Sequence, residues 1–249
     1  MKTSFVFRRA IQALLPATLL LAACSKSDTP TPTPTVDQGS VLFINAASNL
    51  APTTLKFAVD NADKASLAYG VRSDYQLFTT GSRSVLVTAG TQSVVGPQAI
   101  TVEKGKNYTF LATPTSSLTS AGGLLLSDDL TAPATGKARI RVVNLVQNVA
   151  TNIRLSQITT TANGPVVVDL VTNVAPGGAS SFVDFTPSTY ALSILDTPGT
   201  SVAEIGDGSG TGTGTKAYEA GKIYTVVVGG TKGSIPDPQK PKAFLFQNN

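Results

Sequence analysis

The chain has no histidine, no tryptophan, a single cysteine and a single methionine among 249 residues. Without histidine, neither Ser-His-Asp nor Cys-His activation of a nucleophile can be assembled, and imidazole metal sites are excluded. With one cysteine there is no intramolecular disulfide, no CxxC redox pair and no cysteine zinc cluster. Charge is also scarce, 14% of residues, and the apparent excess of +4 is mostly N-terminal. Lys2, Arg8 and Arg9 account for three of the 19 basic residues, and none of the 15 acidic residues precedes Cys24. Beyond residue 23 the formal charge is +1. No basic cluster of four or more follows, so there is no electrostatic footprint for nucleic acid and no polybasic membrane patch. Long 3.6-period amphipathic segments are missing too. What remains is rich in glycine, threonine, serine and valine, the composition of short strands and many turns.

The one cysteine sits at an informative place. Lys2, Arg8 and Arg9 form a positive region, and Ala10 to Ala23 an apolar run too short for a comfortable membrane span of about 20 residues. Leu21-Ala22-Ala23-Cys24 resembles the lipobox of bacterial lipoproteins. The resemblance implies removal of residues 1–23 as a signal peptide, lipidation of Cys24 and attachment to a membrane by several acyl chains, as stable anchoring requires. Ser25, not aspartate, follows the cysteine, which in such lipoproteins implies the outer membrane; whether the protein faces the periplasm or the exterior stays open. Residues 24–39 read as a tether. Thr29 to Thr35 alternates threonine with proline, which admits neither helix nor central strand. In extended form the tether as a whole spans about 30 to 45 Å at 3.1 Å per residue.

About 210 residues remain, enough for two cores, and two halves can be laid on each other: 40–133 and 134–249. Val41-Leu42-Phe43-Ile44-Asn45 answers Ile140-Arg141-Val142-Val143-Asn144. The alternation puts Ile140 and Val142 on the core face, with Val41 and Phe43 their counterparts. Phe78–Val87 answers Phe185–Ile194, and Glu103–Leu111 answers Glu219–Val227, each of the last pair a glycine turn running into a strand with an early tyrosine. Tyr108 and Tyr224 thereby read as tyrosine corners, ring in the core and hydroxyl on a turn, rather than as ligand contacts or acid-base groups. Turn signals recur about every ten residues, and the apolar runs give seven or eight short strands per half, as in a β-sandwich. The link Asp128–Gly136 is short and predicts two sandwiches standing end to end.

The opening strand ending in asparagine, Ala51-Pro52, the "GKxYT" strand and the link "DDLTAPATGKARIRVVN" together resemble the family known as domain of unknown function 4397, over nearly all of residues 40–249. Ala-Pro is missing from the second copy, where Val149-Ala150-Thr151 stands. The resemblance implies tandem immunoglobulin-like domains and no transferable activity. The fold class expected is therefore all-β, two tandem immunoglobulin-like β-sandwiches behind a signal peptide and a Thr/Pro tether.

No catalytic, cofactor or metal residue is indicated; Cys24 is the only site. Asp128-Asp129, the one adjacent acidic pair, points its carboxylates apart on an extended chain and does not meet the spacing of glycoside hydrolysis. It reads as a solvated linker turn, with a calcium clip between the halves as the alternative. Gly206–Lys216 departs from a phosphate loop, because its lysine follows threonine and no helix comes next. It reads as a flexible hairpin tip and the first place to seek a contact surface. Asn107-Tyr108-Thr109 is a formal sequon in a strand start, read as coincidence. Three functions remain: a non-catalytic envelope module binding polysaccharide or protein through loops, a structural spacer or assembly component, and a hydrolase using scattered carboxylates.

Overall fold

The computed structural model describes residues 36–249 except 198, 211, 213 and 234–238. Cys24, the expected signal peptide of residues 1–23 and the expected tether up to residue 35 lie outside the described residues. Residues 36–249 form one compact unit. Its N-terminal part contains β1 (Gln38–Asn45), β2 (Leu55–Val59), β3 (Ala62–Leu67), β4 (Gln76–Thr79), β5 (Gly81–Ala89), β6 (Gln92–Val102), β7 (Asn107–Thr113) and β8 (Gly122–Asp128). The first strand thus starts at Gln38, inside the stretch read as tether.

The C-terminal part contains β9 (Ala138–Gln147), β10 (Ile153–Thr161), β11 (Gly164–Val174), β12 (Val183–Phe185), β13 (Thr189–Tyr190), β14 (Leu192–Asp196), β15 (Ser201–Glu204), β16 (Lys216–Ala217), β17 (Ile223–Thr231) and β18 (Lys242–Gln247).

Two sheets of order β4-β1-β7-β8 and β3-β2-β5-β6 enclose the first core, and two of order β12-β9-β17-β18 and β11-β10-β14-β15 the second. The fold is all-β, and the two sandwiches have the same connectivity once the short β13–β16 pair is set aside. In each, the first strand runs parallel to the late strand that bears the tyrosine. Val41 lies opposite Tyr108, and Ile140 opposite Tyr224. This register turns the sequence repeat into a position-by-position equivalence. Val41 and Phe43 enter one core and Ile140 and Val142 the other, as alternation requires.

The equivalence extends to polar devices. Asn45 Nδ2 donates to the Leu67 carbonyl at 2.9 Å while its Oδ1 accepts from the Ala47 N–H. Asn144 does the same with Val174 and Val146. Ser73 Oγ accepts from the Phe43 N–H, and Ser180 Oγ from the Val142 N–H. Each buried strand end is closed by the same amide and the same hydroxyl, leaving no backbone donor stranded at these points.

The sandwiches do not stand end to end. Leu42, Ile44 and Leu111, on the outward face of the β1 sheet, form a third buried cluster with Val143, Leu145 and Val227 of the β9 sheet. Four sheets are therefore stacked, and β1, β7, β9 and β17 are covered on both faces. That is why "VLFI" is a continuous apolar run instead of an alternating one. Each fully buried aliphatic side chain at this seam contributes about 1.5–3 kcal/mol, enough to override the short link's apparent freedom.

Candidate functional site

Asp128 is where the linker reading fails. Its side chain is fully buried at the seam, and Arg141 beside it is 3% exposed. Arg141 Nη2 donates to Asp128 Oδ1 at 2.5 Å, and its Nε donates to Thr225 Oγ1 at 3.0 Å. Thr225 donates to Asn248 Oδ1, Asn248 Nδ2 to the Tyr75 hydroxyl, and Tyr75 back to Asp128 Oδ2 at 2.5 Å. Thr109 Oγ1 also donates to Asp128 Oδ2, at 2.6 Å. The ring of hydrogen bonds closes on itself and joins both sandwiches. Burial, and next the Asp128 carboxylate, push the Tyr75 phenol well above its ordinary range.

Asp129 behaves as the linker residue expected. It is exposed, and the Thr131 hydroxyl, then Arg139 paired with it at 3.0 Å and the Thr131 N–H, hold its carboxyl well below the usual range. The two neighbouring carboxylates are turned apart, one into the seam and one into solvent, so they form neither a shared cation cage nor an acid-base pair across a substrate. Among the described residues, no three histidine, cysteine or carboxylate side chains converge where they could hold a metal ion.

The glycine loop departs from a free hairpin tip at its start. Its first half lies along β18: Ser209 bridges Phe244, and the Leu245 N–H donates to the Gly208 carbonyl. A Cβ on Gly210 would stand 2.3 Å from the Phe244 ring, and one on Gly70 would stand 2.2 Å from it. Tyr69 meets the same ring edge-on at 5.2 Å. Phe244 is thus clamped between the two sandwiches, and these glycines provide clearance as well as turns. The tyrosine-corner reading holds in detail for Tyr224, whose hydroxyl accepts from the Glu219 N–H at 3.1 Å with the ring in the core. Tyr108 occupies the matching core position. In the sequon, Asn107 accepts from Ser40, and Thr109 is committed to Asp128.

The surface with binding character was not visible in sequence, because it exists only through the face-to-face packing. A cleft of about 280 Å³ runs along the seam, lined by Thr113, Gly123 and Leu124 from one sandwich and Leu145, Val146 and Gln147 from the other. Beside it, a second hollow of about 230 Å³ is lined by Asn49, Thr115, Leu118, Asn148 and Gln239, and shares Gln147. The Asn49 amide nitrogen donates to the Ser117 and Ser120 carbonyls, while its Oδ1 is buried without a partner. The lining is amide, hydroxyl and aliphatic, with no ionisable side chain.

Among solved structures, the chain is similar to a leucine-rich repeat protein from Bacteroides thetaiotaomicron at 12% identity and TM-score 0.20; it covers 82% of this chain and 26% of that one. It is similar to the tip fimbrial protein Mfa3 from Porphyromonas gingivalis, with C-terminal truncation, at 9% identity and TM-score 0.29, covering 85% and 99%. The chain thus spans about a quarter of the first protein's length and nearly all of the second's. No curated protein matches. The family match ends at residue 154, short of the C-terminal reach of the sequence resemblance, so the second sandwich is tied to the first by its strand order and register. From β1 through β9 and into β10, residues 39–154 match the family described as "Domain of unknown function (DUF4397)".

Proposed function

We propose that this is a non-catalytic, lipid-anchored cell-envelope module that binds a neutral, hydroxyl-rich ligand, a polysaccharide, in the seam cleft. The observation that carries the reading is the uncharged amide and hydroxyl lining drawn from both sandwiches, Asn49, Thr115, Gln147 and Asn148 among it. Such groups match the donors and acceptors of sugar hydroxyls and offer nothing to select a phosphate or a cation. Cys24 is the proposed lipid attachment point, with the outer membrane as its location. A spacer function is less well supported, because stacking the sandwiches face to face shortens the body that end-to-end packing would have extended. A hydrolase is disfavoured by the divergence of Asp128 and Asp129. The test is a neutral-glycan array probed with the purified chain and with a Gln147→Ala, Asn148→Ala variant. Binding by the first, reduced at least about tenfold in the second, supports the cleft. Binding by neither, or equally by both, refutes it. Absence of radiolabelled palmitate in the wild-type protein would refute the anchor.

A further inference from the structure

One edge of the four-sheet stack is left open in a way the others are not. β11 is the outer strand of its sheet and pairs only with β10. Past the register shifts at Leu155, β10 and β11 run in unbroken register from Ser156–Asp169 to Thr161–Gly164. β14 supports β10 only as far as Gln157, so the hairpin beyond it overhangs as a two-stranded ribbon. No residue from 155 to 168 is charged. Val166, Val167 and Val168 are 48%, 45% and 50% exposed, and Ile158, opposite Val167, is 36% exposed.

Exposed edges are normally shortened, bent, charged or covered. Here β4, β12 and β15 have only three or four residues. β6 is broken by Gly96 at φ +85° beside Pro97, with a shifted register. β3 carries Lys64 and the Asp63–Lys56 ion pair. β8 is met at its start by β6, where the Ala121 N–H donates to the Val94 carbonyl and Gln98 Nε2 to the Gly123 carbonyl, and β18 is covered by the start of the glycine loop. Among the described edge strands, only β11 ends in an overhanging run of valines in unbroken register, with Asp169 its one charge.

We propose that β11 pairs antiparallel with β11 of a second copy of this chain, about a two-fold axis at Val167, joining two four-stranded sheets into one. The occupant is a second copy because the strand is complementary to itself. The two-fold sets Val166 against Val168 of the other copy and Val167 against its own equivalent, so every central pair is valine on valine. Asp169, the one charge in the region, falls opposite Pro165, and Arg154 of its own chain neutralises it at 3.1 Å. No like charges oppose each other, and Pro165, which lacks an N–H, ends the ladder. An isologous contact of this kind closes at two copies and does not propagate. The pairing goes beyond whatever the seam cleft binds.

The test uses the full chain in mild detergent. Directly opposed Cα atoms in antiparallel strands lie about 4.5–5.5 Å apart, within disulfide range. Val167→Cys, oxidised gently beside the wild type as the baseline for Cys24, is expected to give a disulfide-linked dimer. Leu118→Cys, on an exposed loop away from β11, is expected to give none. By sedimentation the wild type should be a concentration-dependent dimer, and Val167→Lys, which opposes two ammonium groups, should associate at least about tenfold more weakly. Val167 is half exposed, so both substitutions leave the core intact, checked by unchanged thermal unfolding of the separated monomer. A wild type that stays monomeric, cross-linking at Leu118 as efficient as at Val167, or undiminished dimerisation of Val167→Lys would each overturn the proposal.

Discussion

Replacing Arg141 by Met is the most direct probe of the four-sheet stack. The substitution keeps the aliphatic stem and removes the guanidinium, leaving Asp128 with a fully buried carboxylate and two hydroxyl donors, Tyr75 and Thr109, in place of its ionic partner. Breaking one side of a buried, hydrogen-bonded pair costs about 3–5 kcal/mol. Thr225 Oγ1 and the Ser127 carbonyl lose a donor as well. For a body of this size, about 2–4 °C of melting temperature goes with each kcal/mol, so the drop should be about 6–20 °C. Asp128→Ala should fall in the same range, and the two changes together should cost less than their sum, with a coupling of up to about 3 kcal/mol. Urea titration and calorimetry of the purified chain measure all three. Because the ring ties both sandwiches, the wild type should unfold in one transition by fluorescence and circular dichroism alike. If either single variant stays within about 1 kcal/mol of wild type, the value of a solvated surface pair, the buried ring is not what the geometry indicates. Two separate wild-type transitions would refute the stacked seam itself.

Gly70→Ala should destabilise the chain by about 2–5 kcal/mol, from a Cβ placed against the Phe244 ring and a φ of +78°. Gly177→Ala, at φ +73° but with open space around it, should cost only about 1–2 kcal/mol, and equal losses in the two melts would discredit the clamp. The phenols of Tyr69, Tyr75 and Tyr218 are all raised, foremost by burial. A raised tyrosine is protonated in the fold when the unfolded chain has already lost the proton. Stability is therefore intact below about pH 10 and falls as pH rises above it, by about 4 kcal/mol per pH unit if all three act. Phenolate absorbance should show these three ionising together with unfolding, and early ionisation in the native state would contradict their burial.

The strands were legible because alternation and turn residues are local signals. Ile140 and Val142 declare an inward face within four residues, and the repeat carries it over to Val41 and Phe43. The stacking was not legible, although a trace of it stood in the sequence: "VLFI" has no polar face, and a strand without one is covered twice. Arg141 concealed the same fact in the second copy, since an arginine between apolar residues reads as an open face. Its carboxylate is 13 residues away, but Tyr75 and Asn248, which complete the ring, are 173 residues apart and share no motif. Glycine was misleading in a different way. Gly208 and Gly210 suggest a mobile tip, yet they lie where Leu245 and Phe244 need room, and composition alone does not separate freedom from close approach. The seam cleft was beyond reach for the same reason as the ring: its two walls belong to different halves.

The equivalence of the halves also explains why the seam holds one ion pair and not two. Register makes Leu42 the counterpart of Arg141, and Thr109 that of Thr225. Asn107 faces Asp128 across β7 and β8, and the Asn248 N–H donates to the Ile223 carbonyl at the matching point, so Asp128 and Asn248 correspond. Both sandwiches thus present the same face to each other, as copies do across a two-fold axis. A strictly symmetric seam would need either two buried arginines with two carboxylates or none. Each additional buried pair must recover the desolvation of two ions, several kcal/mol apiece, from attraction alone. The chain breaks the symmetry instead. Leucine replaces the second guanidinium, and asparagine replaces the second carboxylate while still accepting from Thr225 and donating to Tyr75. One pair remains, fully hydrogen-bonded, and it orients two otherwise similar apolar faces, because sliding either sheet by a strand would leave Asp128 buried without Arg141.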